Sequence, residues 1–339
     1  MKVARIYDFN DIRIEEMPIP EVGRREALVK VKACGICSGD VTAWYIKQKA
    51  PIVIGHEPAG IISAVGSEVE GFSVGDRVFV HHHAPCFICK HCRRGYYSMC
   101  KTWKASHIYP GGVAEYFLVP EINLRNDTLK LPASVSFEAA SLIEPTACSI
   151  KALKRAGIKG GERVLQIGLG IMGQLNVVLA RYYGAKQVIA ADLRDDRCEL
   201  AKKLGADTAI NTAKTELRKA VEDITDGELA DVVIVGPPKV EVMKLGIDCA
   251  GKGSCVVFFM GSAPGELLEV EPHHLYFNEI TLVSSYSCGP YDTREALELI
   301  SQKVIPADKL ITDRFSIEET PQAFAKMASL NTLKAIIVF

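Results

Sequence analysis

No stretch of this chain approaches the roughly eighteen consecutive apolar residues that would mark a membrane span. Charge of one sign is missing too. Forty basic and forty-one acidic side chains leave a formal net charge of −1, which excludes the basic footprint that nucleic acid or an anionic membrane surface requires. Internal repeats, low-complexity tracts and long charge runs are absent. The N-terminal MKVARIYDFNDIRIEE alternates apolar and charged residues like a strand and has no apolar core of signal-peptide length. What is present in quantity is cysteine. The eleven cysteines are an odd number, with four crowded into fifteen residues. That usage fits metal ligation and free thiols in a reducing, cytoplasmic compartment better than a disulfide framework.

At 339 residues the chain is long for one hydrophobic core, and two domains are expected. Residues 1–148 carry short β patterns broken by Gly and Pro, such as ALVKVKACGIC, IVIGHEPAGIISAVG and GGVAEYFLVP. They predict a barrel-like all-β half with ligands on its loops. Across 149–285 the texture changes to apolar strands alternating with helices, from RVLQIGLG through QVIAAD, DVVIVG and SCVVFFMG. That alternation predicts a parallel, doubly wound α/β sheet. Residues 286–339 add a helix at TREALELISQ and close on KAIIVF, a terminal strand expected to return to the first domain.

Cys86, Cys89, Cys92 and Cys100 have the Cys-x2-Cys-x2-Cys-x7-Cys spacing of a four-thiolate zinc site, forming a lobe over 86–100. Four soft donors close the tetrahedron and leave no position for substrate, so this metal is structural. Its binding stabilises the loop by about 10 kcal/mol on an apparent scale.

Gly168-Leu169-Gly170-Ile171-Met172-Gly173 follows an apolar strand directly and opens a helix, the context that a dinucleotide fingerprint needs. Gly168 permits the tight turn, Gly170 the close approach of pyrophosphate, and Gly173 the packing of helix on strand. The helix N-terminus then offers its free amides to the phosphates. Asp192, ending the next strand, is placed to accept from both ribose hydroxyls. A 2′-phosphate there would meet like charge, at a cost of about 4 kcal/mol across about 4 Å. NAD is therefore expected over NADP. Arg197 either pairs with Asp192, stacks on adenine or is solvated.

A second metal set lies in CGICSGD, GHEP and EPTACS. Cys37, His56 and one carboxylate give zinc a thiolate, an imidazole and an oxygen, with a fourth position open to water or an alcohol. The polarisation that brings a zinc-bound water to a pKa of about 7 makes a bound alcohol ionise near neutrality. Trp44 and Tyr45, just after the ligand loop, are candidates for an apolar pocket wall. Two zinc ions per chain follow.

The GIC-x-x-D loop, GHE, the four-cysteine lobe, GG-x-AEY, the EP motif, GxGxxG and LGAD together resemble the zinc-containing medium-chain dehydrogenases. The likeness is to the threonine dehydrogenase and sorbitol (polyol) dehydrogenase branch, over essentially the whole length. The resemblance implies a GroES-like catalytic domain interrupted in sequence by a Rossmann domain, an active site in the cleft between them, and a homo-tetramer or dimer. It implies a catalytic zinc on Cys37, His56 and either Glu57 or Glu144. Most relatives place Ser or Thr two residues after the ligand cysteine and His five after it, and here Gly39 and Thr42 stand there. The proton relay is thus rewired, with Ser38, Thr42 and the histidines His82 and His83 as candidates. By resemblance His82 and His83 border the substrate, as does Tyr286, which keeps an aromatic partner but loses the neighbouring Arg of polyol enzymes. Asp40 matches the loop aspartate that orients the relatives' ligand loop.

The function expected is NAD-dependent oxidation of a secondary alcohol or polyol. Its rivals are a non-catalytic zinc- and nucleotide-binding protein acting as a redox sensor, and a zinc-free quinone or enoyl reductase.

Overall fold

Val, Ile and Ala dominate Ala27–Gly35 and Glu57–Val65, which pair antiparallel as the spine of a seven-stranded sheet. The computed structural model describes all residues, 1–339. They fall into two units, Met1–Ala147 with Cys288–Phe339, and Cys148–Ser287.

In the first unit the spine is flanked on one side by Ala335–Val338 and Asp313–Phe315, and on the other by Arg77–Val80 and Thr128–Lys130. Tyr116–Val119 also pairs with Ala27–Gly35, and a smaller sheet joins Asp11–Glu16, Lys2–Asp8 and Ile52–Val53. Val29, Val31, Ile62, Val78, Phe117 and Ile337 are wholly buried in the core between them. Each such side chain contributes about 1.5–3 kcal/mol of burial.

Register is what this sheet gives the site. Gly35 lies opposite Glu57 on one neighbour and Ile336 on the other. The residues just past these positions, Cys37, His56 and Lys334, are therefore gathered at one end of the sheet. Val80 lies opposite Thr128, and the His81 amide bonds the Asp127 carbonyl at 3.0 Å.

The second unit is a six-stranded sheet in the order Thr208–Asn211, Gln187–Asp192, Arg163–Ile167, Ala230–Val235, Ala250–Phe258, Thr281–Ser284. Every neighbouring pair is parallel. Strand order reverses between Arg163–Ile167 and Ala230–Val235, the switch point at whose carboxyl ends open α/β sheets bind ligands.

Candidate active site

Crowding defines the lobe. The sulfurs of Cys86, Cys89, Cys92 and Cys100 all lie within 4.8 Å of one another. Cys89–Cys92 and Cys86–Cys100 are 3.5 and 3.6 Å apart, against about 3.8 Å for two sulfurs on a tetrahedral zinc. Without a cation the set cannot be four thiolates, since burial and the neighbouring sulfurs push Cys92 up to about 12. The donors fit zinc, and Trp103 packs behind them with 2 % of its surface exposed.

The mixed set forms where the sheet register gathers its residues. Donor atoms of Cys37, His56 and Glu57 lie within 4.8 Å of one another. Cys37 begins the turn Ser38–Val41, and the Gly39 amide donates to its sulfur at 3.3 Å. Asp40, 6 % exposed, turns Oδ2 toward His56 Nδ1 at 3.6 Å. Burial by itself would lower the His56 pKa, but the charges of Asp40, Cys37 and Glu144 hold it well above the ordinary value. Such a nest of negative groups calls for a cation. Glu57, 1 % exposed, gives one oxygen to Lys334 Nζ, while its other oxygen has no hydrogen-bond partner. A buried carboxylate oxygen left over beside a thiolate and an imidazole fits a zinc ligand.

Lys334 is a site residue that motif reading missed. Its ammonium, also 1 % exposed, donates to the Ile36 carbonyl at 2.9 Å. Burial opposes its charge, yet Glu57, Cys37 and Glu144 hold its pKa above the ordinary value. The signal was a lysine placed directly ahead of an apolar terminal strand. Gly35 makes the contact possible, because a Cβ there would lie 1.8 Å from Glu57 Oε2.

The carboxylate of Glu144, in the first turn of the helix Ile143–Ala156, falls with His81 and Cys288 instead of with Cys37 and His56. Its charge is nevertheless felt at His56. The three adjacent histidines take different partners, although the His82 and His83 rings lie 3.9 Å apart. His81 bonds Asp127 at 2.6 Å, and His83 Nδ1 donates to the Ser106 carbonyl at 2.6 Å. The His83 ring lies on Trp103, 4.0 Å between centroids, and burial brings its pKa to about 3. His82 instead approaches His56, with ring centroids 5.0 Å apart. Its Nδ1 is buried without a partner, and burial beside three other imidazoles holds it well below the ordinary histidine pKa.

Thr42 Oγ1 donates to the Ser38 carbonyl at 3.2 Å, which ties the two relay candidates together through the backbone. Trp44 and Tyr45 make an edge-on pair at 5.8 Å on the short helix that follows. Cys34 is wholly buried against Gly55 and Gly112 and packs, as its place in the strand predicts. Tyr286 stands in the second unit, 52 % exposed, its carbonyl accepting from Lys151 Nζ.

In that unit Gly168 takes φ +84°, which favours glycine, and a Cβ there would strike Pro237 at 2.7 Å. The Gly236-Pro237-Pro238 segment thus walls the turn, a role not apparent from its sequence. Gln166 secures the same turn from inside, donating to the Ile167 and Gly168 carbonyls. Gly173 passes so close to the Gly168 carbonyl that a Cβ would sit 2.0 Å from it, whereas at Gly170 only the Arg197 guanidinium is near, at 3.3 Å. Asp192 accepts from the Leu169 and Arg194 amides at 2.7 and 3.0 Å. This cradle of bare backbone and helix amides fits a dinucleotide pyrophosphate.

A family model for the alcohol dehydrogenase GroES-like domain matches residues 23–133, and one for zinc-binding dehydrogenases matches 172–302. The sorbitol dehydrogenase of Halalkalibacterium halodurans is 31 % identical over 96 % of this chain and 94 % of its own. A zinc-binding dehydrogenase of Sinorhizobium meliloti bound to NADP superposes with a TM-score of 0.90 at 29 % identity, covering 100 % of this chain and 99 % of the other. A short chain alcohol dehydrogenase of Escherichia coli CFT073 complexed with NADH gives 0.89 at 30 % identity, again over 100 % and 99 %.

Proposed function

We propose that this chain, which belongs to the zinc-containing medium-chain dehydrogenase family, transfers hydride between a secondary alcohol or polyol and NAD. Its architecture is a GroES-like domain with a doubly wound Rossmann domain. The observation that carries the reading is the convergence of Cys37, His56 and the unpartnered Glu57 oxygen at the end of one sheet.

Cys37, His56 and Glu57 would hold the catalytic zinc, with Glu144 near enough to act on His56 by its charge. Zinc bound there would supply the polarisation by which an alcohol loses its proton near neutrality, and bound NAD would supply the hydride acceptor. The chain's own side chains handle the rest. Gly39 stabilises the Cys37 thiolate through its amide, and Asp40 orients His56. His82, kept neutral by burial, takes a proton on one ring nitrogen and releases it from the other. Ser38 and Thr42 line the same loop as alternative relay groups. His83, with Nδ1 committed to Ser106, supports the ring of Trp103. Trp44, Tyr45 and Tyr286 are assigned to the substrate pocket.

On the cofactor side, Gly168, Gly170 and Gly173 admit the pyrophosphate, Asp192 receives the ribose, and Arg197 flanks the turn. The Asp192 carboxylate favours NAD over NADP. The four lobe cysteines hold the structural zinc. Eleven free cysteines support a cytoplasmic setting, and the family resemblance supports a homo-tetramer or dimer. No helix is long and apolar enough to cross a membrane.

The test is zinc content together with NADH formation across diols, polyols, β-hydroxy amino acids and simple secondary alcohols. Turnover that disappears in Cys37→Ser with the fold retained is the expected result. Turnover unchanged in that variant would refute the zinc mechanism.

A further inference from the structure

The first unit holds another group of metal-ligating side chains that shares no residue with the two sets above. His81, Glu144 and Cys288 each present a donor atom, all within 4.8 Å of one another, and their exposures are 0, 6 and 0 %. Imidazole, carboxylate and thiol form the same donor chemistry as the Cys37 set, repeated where solvent does not reach.

Three features distinguish this group from chance packing. His81 Nε2 lies 3.7 Å from Cys288 Sγ, close to the about 3.6 Å that a nitrogen and a sulfur keep on one tetrahedral zinc. The other ring nitrogen, Nδ1, stands 2.6 Å from Asp127 Oδ2 with both side chains fully buried. A histidine that binds a metal characteristically donates its second N–H to a carboxylate, which fixes the tautomer and aims the remaining lone pair. Here that arrangement points Nε2 at Cys288. Asp127 is in turn held by Thr293, whose hydroxyl donates to Oδ1 at 2.6 Å.

Electrostatics favours a cation in this interior. Asp127 and Glu144 are both carboxylates with almost no exposure, and a buried charge is costly unless it is paired or coordinates a metal. A divalent ion balances one thiolate and the Glu144 carboxylate, while Asp127 has its partners in His81 and Thr293. The assembly draws on the end of Arg77–Val80, the first turn of Ile143–Ala156 and the loop ahead of Pro290–Ser301. An ion there would tie the returning segment to the sheet.

We propose that His81, Glu144 and Cys288 hold a further zinc ion, separate from the catalytic one, and that Asp127 and Thr293 are positioning residues for His81. The proposal rests on Glu57 being the third donor of the catalytic set, which leaves Glu144 for this one.

The test counts metal in the full chain purified under zinc-replete conditions. Three zinc ions are expected in the wild type and two in Cys288→Ser, which conserves size but replaces the thiolate. In cobalt-exchanged protein, the difference between the two should carry a sulfur-to-cobalt charge-transfer band. Asp127→Asn keeps all three donors and guards against a misfolded Cys288→Ser. It should release one metal ion to a chelator about 10–100-fold more readily than the wild type, with the other two retained. Equal metal content and identical cobalt spectra in wild type and Cys288→Ser, or unaltered release from Asp127→Asn, would overturn the site. If Cys37→Ser alone loses an ion, this inference fails and the dehydrogenase reading stands. If Cys37→Ser loses none while Cys288→Ser does, the interior site stands and the catalytic assignment fails.

Discussion

In the four-sulfur lobe and in the Cys37–His56–Glu57 set alike the donor atoms lie within 4.8 Å of one another, but the two are built in opposite ways. The lobe takes all its donors from residues 86–100, a loop with little regular structure beyond single turns at Cys92–Arg94 and Tyr97–Met99. The mixed set inherits its geometry from a sheet whose register places Gly35 opposite Glu57. A local site has to make its own fold, whereas a distributed one borrows it. Losing a ligand should therefore cost structure in the first case and chemistry in the second.

The sharpest test is a pair of serine substitutions. Cys100→Ser opens the lobe, removing most of the roughly 10 kcal/mol that metal binding contributes. We expect loss of one zinc, a large fall in thermal midpoint and protease cleavage within residues 86–100. Cys37→Ser should leave the thermal midpoint within a few degrees and lower turnover by about 10³-fold, corresponding to several kcal/mol of lost polarisation. The comparison breaks if Cys37→Ser unfolds the protein or Cys100→Ser is silent.

Next is Lys334→Met, which asks how deeply the distributed site depends on the sheet. It leaves the Glu57 carboxylate buried without its counter-charge, a change that costs about 3–5 kcal/mol. Urea unfolding should show it as a lower midpoint with an unchanged slope. The lobe offers no equivalent, since its loss is measured in metal and not in a buried ion pair. Gly35→Ala perturbs the same contact more gently. The new methyl meets Glu57 Oε2 at 1.8 Å and must displace it, for about 1–3 kcal/mol. A fall in zinc occupancy at the mixed set, with the lobe zinc retained, would show that the strand crossing governs the ligand. An unchanged occupancy would detach Glu57 from the metal.

What could be read from the sequence divides along the same line. The four cysteines and the glycine turn were legible because spacing alone dictates their chemistry, as was the alternation that gives six parallel strands. That Cys37 and His56 belong to one cluster was legible from their motifs, but which carboxylate falls beside them was not. That choice depends on which strand ends lie side by side, and the partner that fixes Glu57 is 277 residues away along the chain. Asp127 and Cys288 were invisible for the same reason, being joined to His81 across 46 and 207 residues. The part Pro237 plays in the glycine turn was not legible, because only the folded turn shows its ring against Gly168.

The smallest effect expected is at Asp192, where the second unit behaves like the lobe, as a local site whose loop is also its chemistry. Both carboxylate oxygens accept backbone amides, from Leu169 and Arg194, so the residue shapes the glycine turn as well as being the proposed ribose acceptor. Asp192→Asn keeps the size and one acceptor but turns an NH2 toward one of those amides. Only the bond to the ribose bears on NAD affinity, and weakening it by about 1 kcal/mol corresponds to a rise of about fivefold in KM for NAD. NADP should suffer less, because removal of the carboxylate also removes the repulsion of a 2′-phosphate. The ratio of kcat/KM for NAD over NADP should therefore fall while zinc content stays near wild type. A ratio that does not move would mean that the ribose is read elsewhere, and that Asp192 serves the turn alone.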